Sequence, residues 1–438
     1  MRKYFGTDGI RGIVNNDLDC SVAFKIGNAL SCIKKSATVV IGQDSRRSGD
    51  MLKASLSSGL MAGGADVYNL GLMPTAGVAY LTKSSNADFG IVISASHNPK
   101  EYNGIKIFDC DGYKLPDKAE AEIEAHMGIE NFVSPDNTGR LFESDRKSTY
   151  EQSLKSSIDV SLAGMKIVMD LANGAAAEIA PRVFENAGAD VIAISGDSES
   201  GNINENCGAL HPEHMRKAVL ASGADMGVAF DGDSDRLIVC DEKGNIINGD
   251  IILYVIAGYY KENGILNRNI VVGTLHTNMG IENAMREKGM HFLRSDIGDR
   301  YVIAKMKESG SILGGEQSGH IILGNKSTTG DGVLTALVLC GIMKDYAKPL
   351  SSLVNVKQYP QENLNIIVPD KTAVMNDAEL WEHIGKAEKR MGSSGRIIVR
   401  ASGTEPKIRI TTECADAGFA KQLAEELAEF VSKIANIV

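Results

Sequence analysis

Short apolar runs recur along this chain, each followed by a polar or glycine-rich break and then by a helical stripe. Phe89, Ile91, Val92 and Ile93 predict a strand buried on both faces. Thr38 to Ile41 predicts another, followed by a loop from Gln43 to Ser48. Leu52, Leu56 and Leu60 then mark a helix that stops at Gly63-Gly64. A strand over Asp66 to Leu70 and a helix opened by Pro74-Thr75 lead back to Phe89. The unit recurs at Lys166 to Met169, a turn at Asn173-Gly174, a helix from Ala175 to Ala187 closed by Gly188, and a strand from Asp190 to Ile194. A third copy runs through Ile270 to Gly273, a helix from Gly280 to Lys288 and His291 to Leu293. Strands alternating with helices predict largely parallel, doubly wound sheets.

The last segment reads differently. Arg396 to Val399 and Ile408 to Thr411 predict two strands around SGTEP, and Phe419, Leu423, Leu427, Phe430 and Ile434 stripe one face of a final helix. A linker is expected around Tyr359 to Asn363. The fold class is three tandem α/β domains with mixed, largely parallel sheets plus a C-terminal α+β domain. Expected boundaries are 1–150, 151–250, 251–361 and 362–438. A chain of 438 residues is long enough for several cores, since single cores stop growing at roughly 250 to 300 residues.

Composition narrows the function. A formal charge of −10 offers no basic patch for nucleic acid, so an anionic substrate has to be met by local arginines. Seven cysteines without a CxxC pair suit a reduced intracellular chain and argue against zinc. No apolar h-region follows the N-terminus and no window of about 18 apolar residues occurs, so a cytoplasmic protein with no membrane association is expected.

Several short stretches carry chemistry. Ser96, in SASHNP at the end of the Phe89 strand, sits where open α/β sheets collect ligands. By itself it reads as a nucleophile that His97 could activate. Asp231, Asp233 and Asp235 alternate with small residues in DGDSDR between two apolar strands, a spacing that lets three carboxylates face one hard cation, for which Mg²⁺ is the natural occupant. An EF-hand fails, although Glu242 falls twelfth, because Arg236 stands where glycine is needed and the flanks are strands. The Gly6 to Gly12 loop can bring Arg11 to an anion, or be a turn-rich terminus. In IGDRY, Arg300 and a helix start favour an anion or a hydroxyl-rich ligand, while Asp299 as a plain N-cap explains it equally well. Glu316 and Ser318 in GGEQSGH can accept hydrogen bonds from vicinal hydroxyls, whereas His320 reads as a packing or capping residue. Arg400, Ser402, Gly403, Thr404 and Arg409 have the composition of a phosphate clamp, with a simple hairpin turn as the alternative.

In this order, ISASHNP with NGIK, DGDSDR, GDRYV, GGEQSGH and RASGTEP resembles the α-D-phosphohexomutase superfamily over nearly the whole chain. KYFGTDGIRG, GDRYV and GGEQSGH are most similar to its branch acting on glucosamine phosphates, with glucose- or mannose-specific members as the alternative. The resemblance implies four domains around a central cleft, the last a mobile cap. It implies a phosphoserine at Ser96, Mg²⁺ held by Ser96, Asp231, Asp233 and Asp235, and a hexose 1,6-bisphosphate that turns around between two phosphoryl transfers. Lys106 and Arg11 are then candidates for proton transfer or charge support, and His97 for orienting the serine loop. Arg236, Asp299, Arg300, Glu316, Ser318, His320, Arg400, Ser402, Gly403, Thr404 and Arg409 would bind the phosphosugar. A homodimer through the first domain is also implied. A phosphatase with the same serine and metal is the rival class, disfavoured because it has no need of a grip that works in two orientations. Three stretches depart from the family pattern: Ser234 replaces a common glycine, which is expected to add only a hydroxyl, and CGALHPE and TLHTNMG bear on the choice of sugar.

Overall fold

Three of the four sheets repeat one strand order, visible in the computed structural model, which describes residues 4–6, 8–402 and 405–435. In the first sheet Tyr102–Phe108, Phe89–Ile93, Thr38–Gln43 and Asp66–Leu72 lie side by side. The second places Leu237–Asp241, Met226–Phe230, Lys166–Asp170 and Asp190–Ile194 in the same order, and the third Ile321–Leu323, Leu313–Gly315, Ile270–Thr274 and His291–Ser295. Each set of four has three parallel strands and one antiparallel strand, which returns from the third by a hairpin. The hairpin loops are 94–101, 231–236 and 316–320, so the serine, the aspartates and GGEQSGH occupy equivalent places in three copies of one unit. That accounts for the alternation read from the sequence.

The parallel strands are fully apolar inside because helices cover the sheets. Val39, Ile41, Val67, Ile91 and Ile93 have no exposed surface, and Leu52, Leu56 and Leu60 pack against them. Several strands escape the apolar-run criterion, among them Ile10–Ile13, Tyr102–Phe108, Leu141–Glu143, Leu313–Gly315 and Ile321–Leu323, because glycine or asparagine interrupts them or the run is too short. The helix expected from Ala175 to Ala187 begins only at Ile179 and ends at Asn186. The Ala175 N–H instead donates to the Gly232 carbonyl at 2.8 Å. Gly174 approaches so closely that a Cβ there would lie 2.4 Å from the same oxygen.

By internal contacts the chain divides into residues 1–276 with 290–355, and 277–289 with 356–438. The second unit carries an antiparallel sheet ordered Gln361–Ile367, Lys407–Cys414, Gly395–Ala401, against which helix Ala417–Ile434 buries Leu423 and Leu427. The linker expected around Tyr359 to Asn363 overlaps the first of these strands. Its Gln-Glu-Asn opening is a half-exposed edge, which hides it from an apolar-run criterion. Among the described residues no helix is long and apolar enough to cross a membrane.

Helix Gly332–Tyr346 is capped by Asp331, which accepts from the Leu334 N–H at 2.9 Å and from the Tyr150 hydroxyl at 2.8 Å. Burial pushes this carboxyl up to about 6 despite both bonds. Because the folded value exceeds the unfolded one, the chain binds more protons folded, and stability falls as pH rises from about 4 through about 6. Asp331→Asn keeps an oxygen acceptor for the Leu334 N–H, turns the second bond around so that its NH2 donates to the Tyr150 hydroxyl oxygen, and removes the titration. Its melting temperature relative to the unaltered chain is expected to rise between pH 4 and pH 7. The differential is a few kcal/mol, since each tenfold change in proton affinity between the folded and unfolded chain is worth about 1.4 kcal/mol. A pH-independent difference would refute this.

Candidate active site

Ser96 is buried in a left-handed conformation, φ 52, which costs a non-glycine residue about 1 to 2 kcal/mol. The surroundings impose it. Its N–H donates to Ser94 Oγ at 2.8 Å, and its carbonyl accepts from Arg46 Nη2 at 2.9 Å and Asn204 Nδ2 at 2.8 Å. Arg46, fully buried against Asp44 at 2.9 Å, also donates to the carbonyls of Asn98 and Tyr102. One guanidinium therefore holds the backbone of the serine loop at several points, and the Ser96 hydroxyl projects to Asp231 Oδ2 at 2.6 Å.

Asp231, Asp233 and Asp235 are all buried, with an oxygen from each within 4.8 Å of the others. Burial, then Asp235 and Asp233, pushes Asp231 up to about 8. Oδ1 of Asp233 and Oδ1 of Asp235 are buried without a hydrogen-bond partner, which is costly unless a cation takes them. The donor set, hard oxygens only, fits a divalent metal ion. Gly232 lets the loop press on the serine loop, since a Cβ there would lie 2.7 Å from the Ser96 carbonyl oxygen. Ser234 has φ 60, so serine in place of glycine adds a backbone cost of about 1 kcal/mol as well as a hydroxyl. Glu242, the rejected calcium ligand, instead accepts from Ser351.

Cations surround the triad. Lys106 is buried with its ammonium 2.8 Å from Asp233 and 3.4 Å from Asp235. Burial alone would lower its pKa, but Asp233, Asp8 and Asp235 reverse that and hold it well above the usual lysine value. Arg236 is partly buried, 3.9 Å from Asp235, with a buried Nε that has no hydrogen-bond partner. Arg11, on strand Ile10–Ile13, donates to Asn98 Oδ1 and Asp8 Oδ2, both at 2.9 Å. His97 Nδ1 lies 3.3 Å from Ser96 Oγ, and burial with Arg236 and Arg11 nearby pushes the ring down to about 4. His97 is therefore neutral at physiological pH.

The third hairpin brings Glu316 and His320 together with the Asp299 helix. Glu316 Oε1 accepts the Gly298 N–H at 3.0 Å, and Ser318 is exposed. His320 Nε2 accepts the Gly330 N–H at 3.1 Å, leaving Nδ1 turned toward Asp235 at 3.7 Å. The histidine thus belongs to the charged cluster, beyond the packing role read from sequence. Asp299 is not a simple N-cap: Gly298 holds that position, and the Asp299 carboxylate reaches Lys114 at 2.5 Å. Arg300 points elsewhere, paired with Asp117 and, at 2.9 Å, Glu120.

In the second unit, Arg400 and Arg409 are cross-strand partners, an arrangement of like charges that an anion would relieve. Burial and Arg409 lower the Arg400 pKa. Arg409 reaches Glu405 at 3.1 Å and Ser402 Oγ at 3.5 Å, and Lys371 Nζ binds the Ser402 carbonyl at 2.6 Å. Gly403 and Thr404 lie outside the described residues.

Sequence reading missed Arg46, Asn204, Asp8, Lys114 and Thr75, whose hydroxyl donates to Asp233 Oδ2 at 2.6 Å. Arg46 was accessible by the rule that singled out Ser96, since it follows the end of a parallel strand. Nothing local marks Lys114.

A buried serine against three carboxylates, two of them with an unmet oxygen, ringed by cations, has the donor set and charge that fit a metal ion and a phosphoryl group. Family models describing the four phosphoglucomutase/phosphomannomutase domains match residues 2–133, 148–244, 248–359 and 364–430. The chain belongs to that family, whose enzymes are isomerases working by phosphoryl transfer. Among its curated relatives is the phosphoglucosamine mutase of Thermoanaerobacter sp. (strain X514), 46% identical with both chains covered fully. A phosphoglucomutase/phosphomannomutase family protein from Burkholderia thailandensis, 26% identical, superposes with a TM-score of 0.83 over 99% of this chain and 97% of that one. The same fold, at 17% identity and a TM-score of 0.72 over 99% and 95%, occurs in the Aspergillus fumigatus N-acetylphosphoglucosamine mutase, solved with GlcNAc-6P and magnesium.

Proposed function

We propose that this enzyme interconverts glucosamine 6-phosphate and glucosamine 1-phosphate, the step that supplies amino-sugar nucleotide synthesis. The observation that carries the chemistry is the Ser96 hydroxyl 2.6 Å from a triad with two unmet carboxylate oxygens. Whole-length identity to a phosphoglucosamine mutase supports the choice of sugar. Ser96 acts as the phosphate carrier. The serine-side P–O bond breaks as a sugar hydroxyl attacks, giving a 1,6-bisphosphate and free Ser96. The bisphosphate reorients, and Ser96 takes back the other phosphoryl group.

Asp231, Asp233 and Asp235, with the phosphorylated Ser96, would hold Mg²⁺, which neutralises charge on the transferring group. Lys106, Arg11 and Arg236 add fixed positive charge around the same group, and the neutral His97 orients the serine loop. Glu316, Ser318, Asp299 and His320 are proposed to grip the sugar. Arg400, Ser402, Gly403, Thr404 and Arg409 are proposed to hold its phosphate, with Arg300 contributing only if it leaves its carboxylates. The reading also includes domains at 1–150, 151–250, 251–361 and 362–438, a homodimer and a cytoplasmic location.

Coupled assays with glucosamine, glucose and mannose 6-phosphates test the choice of sugar. Glucosamine 6-phosphate is expected to have the highest kcat/KM. Ranking it last would transfer the assignment to the glucose- or mannose-specific enzymes. Release of inorganic phosphate without an isomerised sugar would establish a phosphatase.

A further inference from the structure

Lys114 and Asp8 carry none of the roles assigned above, yet they close a ring of side chains at the centre. Lys106 Nζ lies 3.4 Å from Asp235 Oδ2 and 3.2 Å from Asp8 Oδ2. The other Asp8 oxygen meets Lys114 Nζ, which reaches Asp299 Oδ2 at 2.5 Å. Asp299 Oδ2 stands 3.7 Å from His320 Nε2, and His320 Nδ1 stands 3.7 Å from the same Asp235 oxygen that faces Lys106. The circuit is Asp235, Lys106, Asp8, Lys114, Asp299, His320 and back to Asp235. It draws on all three α/β repeats of the first unit.

The side chains of Lys106 and Lys114 are only 1% and 8% exposed, so both ammoniums have given up hydration and depend on the carboxylates beside them. Each of those carboxylates is shared. Asp8 cannot follow Lys106 without leaving Lys114, and Asp299 cannot follow His320 without leaving Lys114. Lys114 is the one member in contact with both intermediates, and it touches neither the triad nor the serine. Without it, two carboxylates close to one buried cation lose that cation. Asp8, still held by Arg11 at 2.9 Å, then bears on Lys106 with charge that Lys114 no longer offsets, and the Asp299 carboxylate, without its cation, repels the His320 Nε2 lone pair 3.7 Å away and shifts the ring against Asp235.

We propose that Lys114 is a positioning residue which, through Asp8 and Asp299, sets where the Lys106 ammonium and the His320 ring stand beside the metal loop. The inference rests on the mutase reading for its catalytic consequence and on geometry alone for the positioning. A strap that merely ties the repeats together would affect stability, whereas a positioning residue affects turnover and the placement of its dependants.

The test compares Lys114→Met and Lys114→Arg in the full chain. Lys114→Met is expected to lose about 30-fold or more in kcat, since Lys106 acts in the transition state, and to raise KM as well, since Asp299 and His320 are proposed to grip the sugar. Lys114→Arg, which keeps the charge and two-sided reach, is expected to recover most of that loss. In protein carrying ¹⁵N-histidine, the His320 ring resonances are expected to move in Lys114→Met and return in Lys114→Arg. If Lys114→Met does not fold, Asp8→Asn carries the test through Lys106, with the same kcat loss expected. A kcat within twofold of the unaltered chain, or equal impairment of the Met and Arg variants with unmoved His320 resonances, would overturn the proposal. If the unaltered chain isomerises no hexose phosphate, the functional reading fails, and the His320 resonances still decide the positioning claim.

Discussion

Ser96→Ala is expected to abolish mutase turnover, a loss of about a thousandfold or more, while leaving the fold intact. The size follows from the role: with no carrier oxygen, neither transfer has a covalent route, and the residual charge stabilisation has nothing to act upon. Ser96 is buried and its hydroxyl makes one strong bond, to Asp231 at 2.6 Å, so alanine leaves only a small void and an unmatched carboxylate oxygen. The backbone is held by Ser94, Arg46 and Asn204, none of which uses the Ser96 side chain. Intact mass is the second readout. Protein incubated with glucose 1,6-bisphosphate gains the mass of one phosphoryl group, and the Ser96→Ala variant does not. Retained turnover in the variant would remove the phosphoserine from the mechanism.

The next largest effect is expected from the metal. Chelation should bring turnover to background, and Mg²⁺ should restore it. Asp233→Asn should lower kcat/KM by about 100-fold or more even at high Mg²⁺, an effect typical of losing a principal electrostatic group. Oδ1 of Asp233 is buried without a partner, while Oδ2 serves Thr75 at 2.6 Å and Lys106 at 2.8 Å. The variant therefore weakens the cation site and leaves Lys106 with less opposing charge. Three carboxylates this close repel, which is why burial and its two neighbours hold Asp231 up to about 8 without a cation. A raised value means that the metal-free protein takes up a proton there on folding, so its stability from this group falls as pH rises through about 8. Added Mg²⁺ competes with that proton and should raise the melting temperature more at pH 8 than at pH 6. An equal Mg²⁺ effect on the unaltered chain and on Asp233→Asn would show that the ion binds elsewhere.

Both expectations concern loops at equivalent places in a repeated unit. A parallel strand followed by an antiparallel return turns its loop outward at a strand end, where backbone groups are released from the sheet. The Ser96 loop, the Asp231 loop and the Glu316 loop all lie there. One topological device, used three times, places Ser96, the three aspartates and GGEQSGH, the proposed carrier, metal ligands and part of the proposed sugar grip.

What the sequence by itself determined was every element whose signal is local. The apolar runs at Thr38, Phe89, Lys166, Met226 and Ile270 became strands, because a strand buried on both faces has to be apolar along its whole length. The spacing of Asp231, Asp233 and Asp235 was enough to bring three carboxylates together, since they share one tight loop. What only the tertiary structure decided was which distant charges meet. The bond between Arg46 and the Ser96 carbonyl spans 50 residues, and that between Lys114 and Asp299 spans 185. His320 reads as an ordinary packed histidine until Asp235 and Asp299 are brought beside it, and the pairing of Arg300 with Asp117 and Glu120 is likewise invisible in its own stretch. Local periodicity records how much of a residue is buried but not what it is buried against. Partners of a buried charge are chosen by the packing of whole repeats, so no short window of sequence contains them.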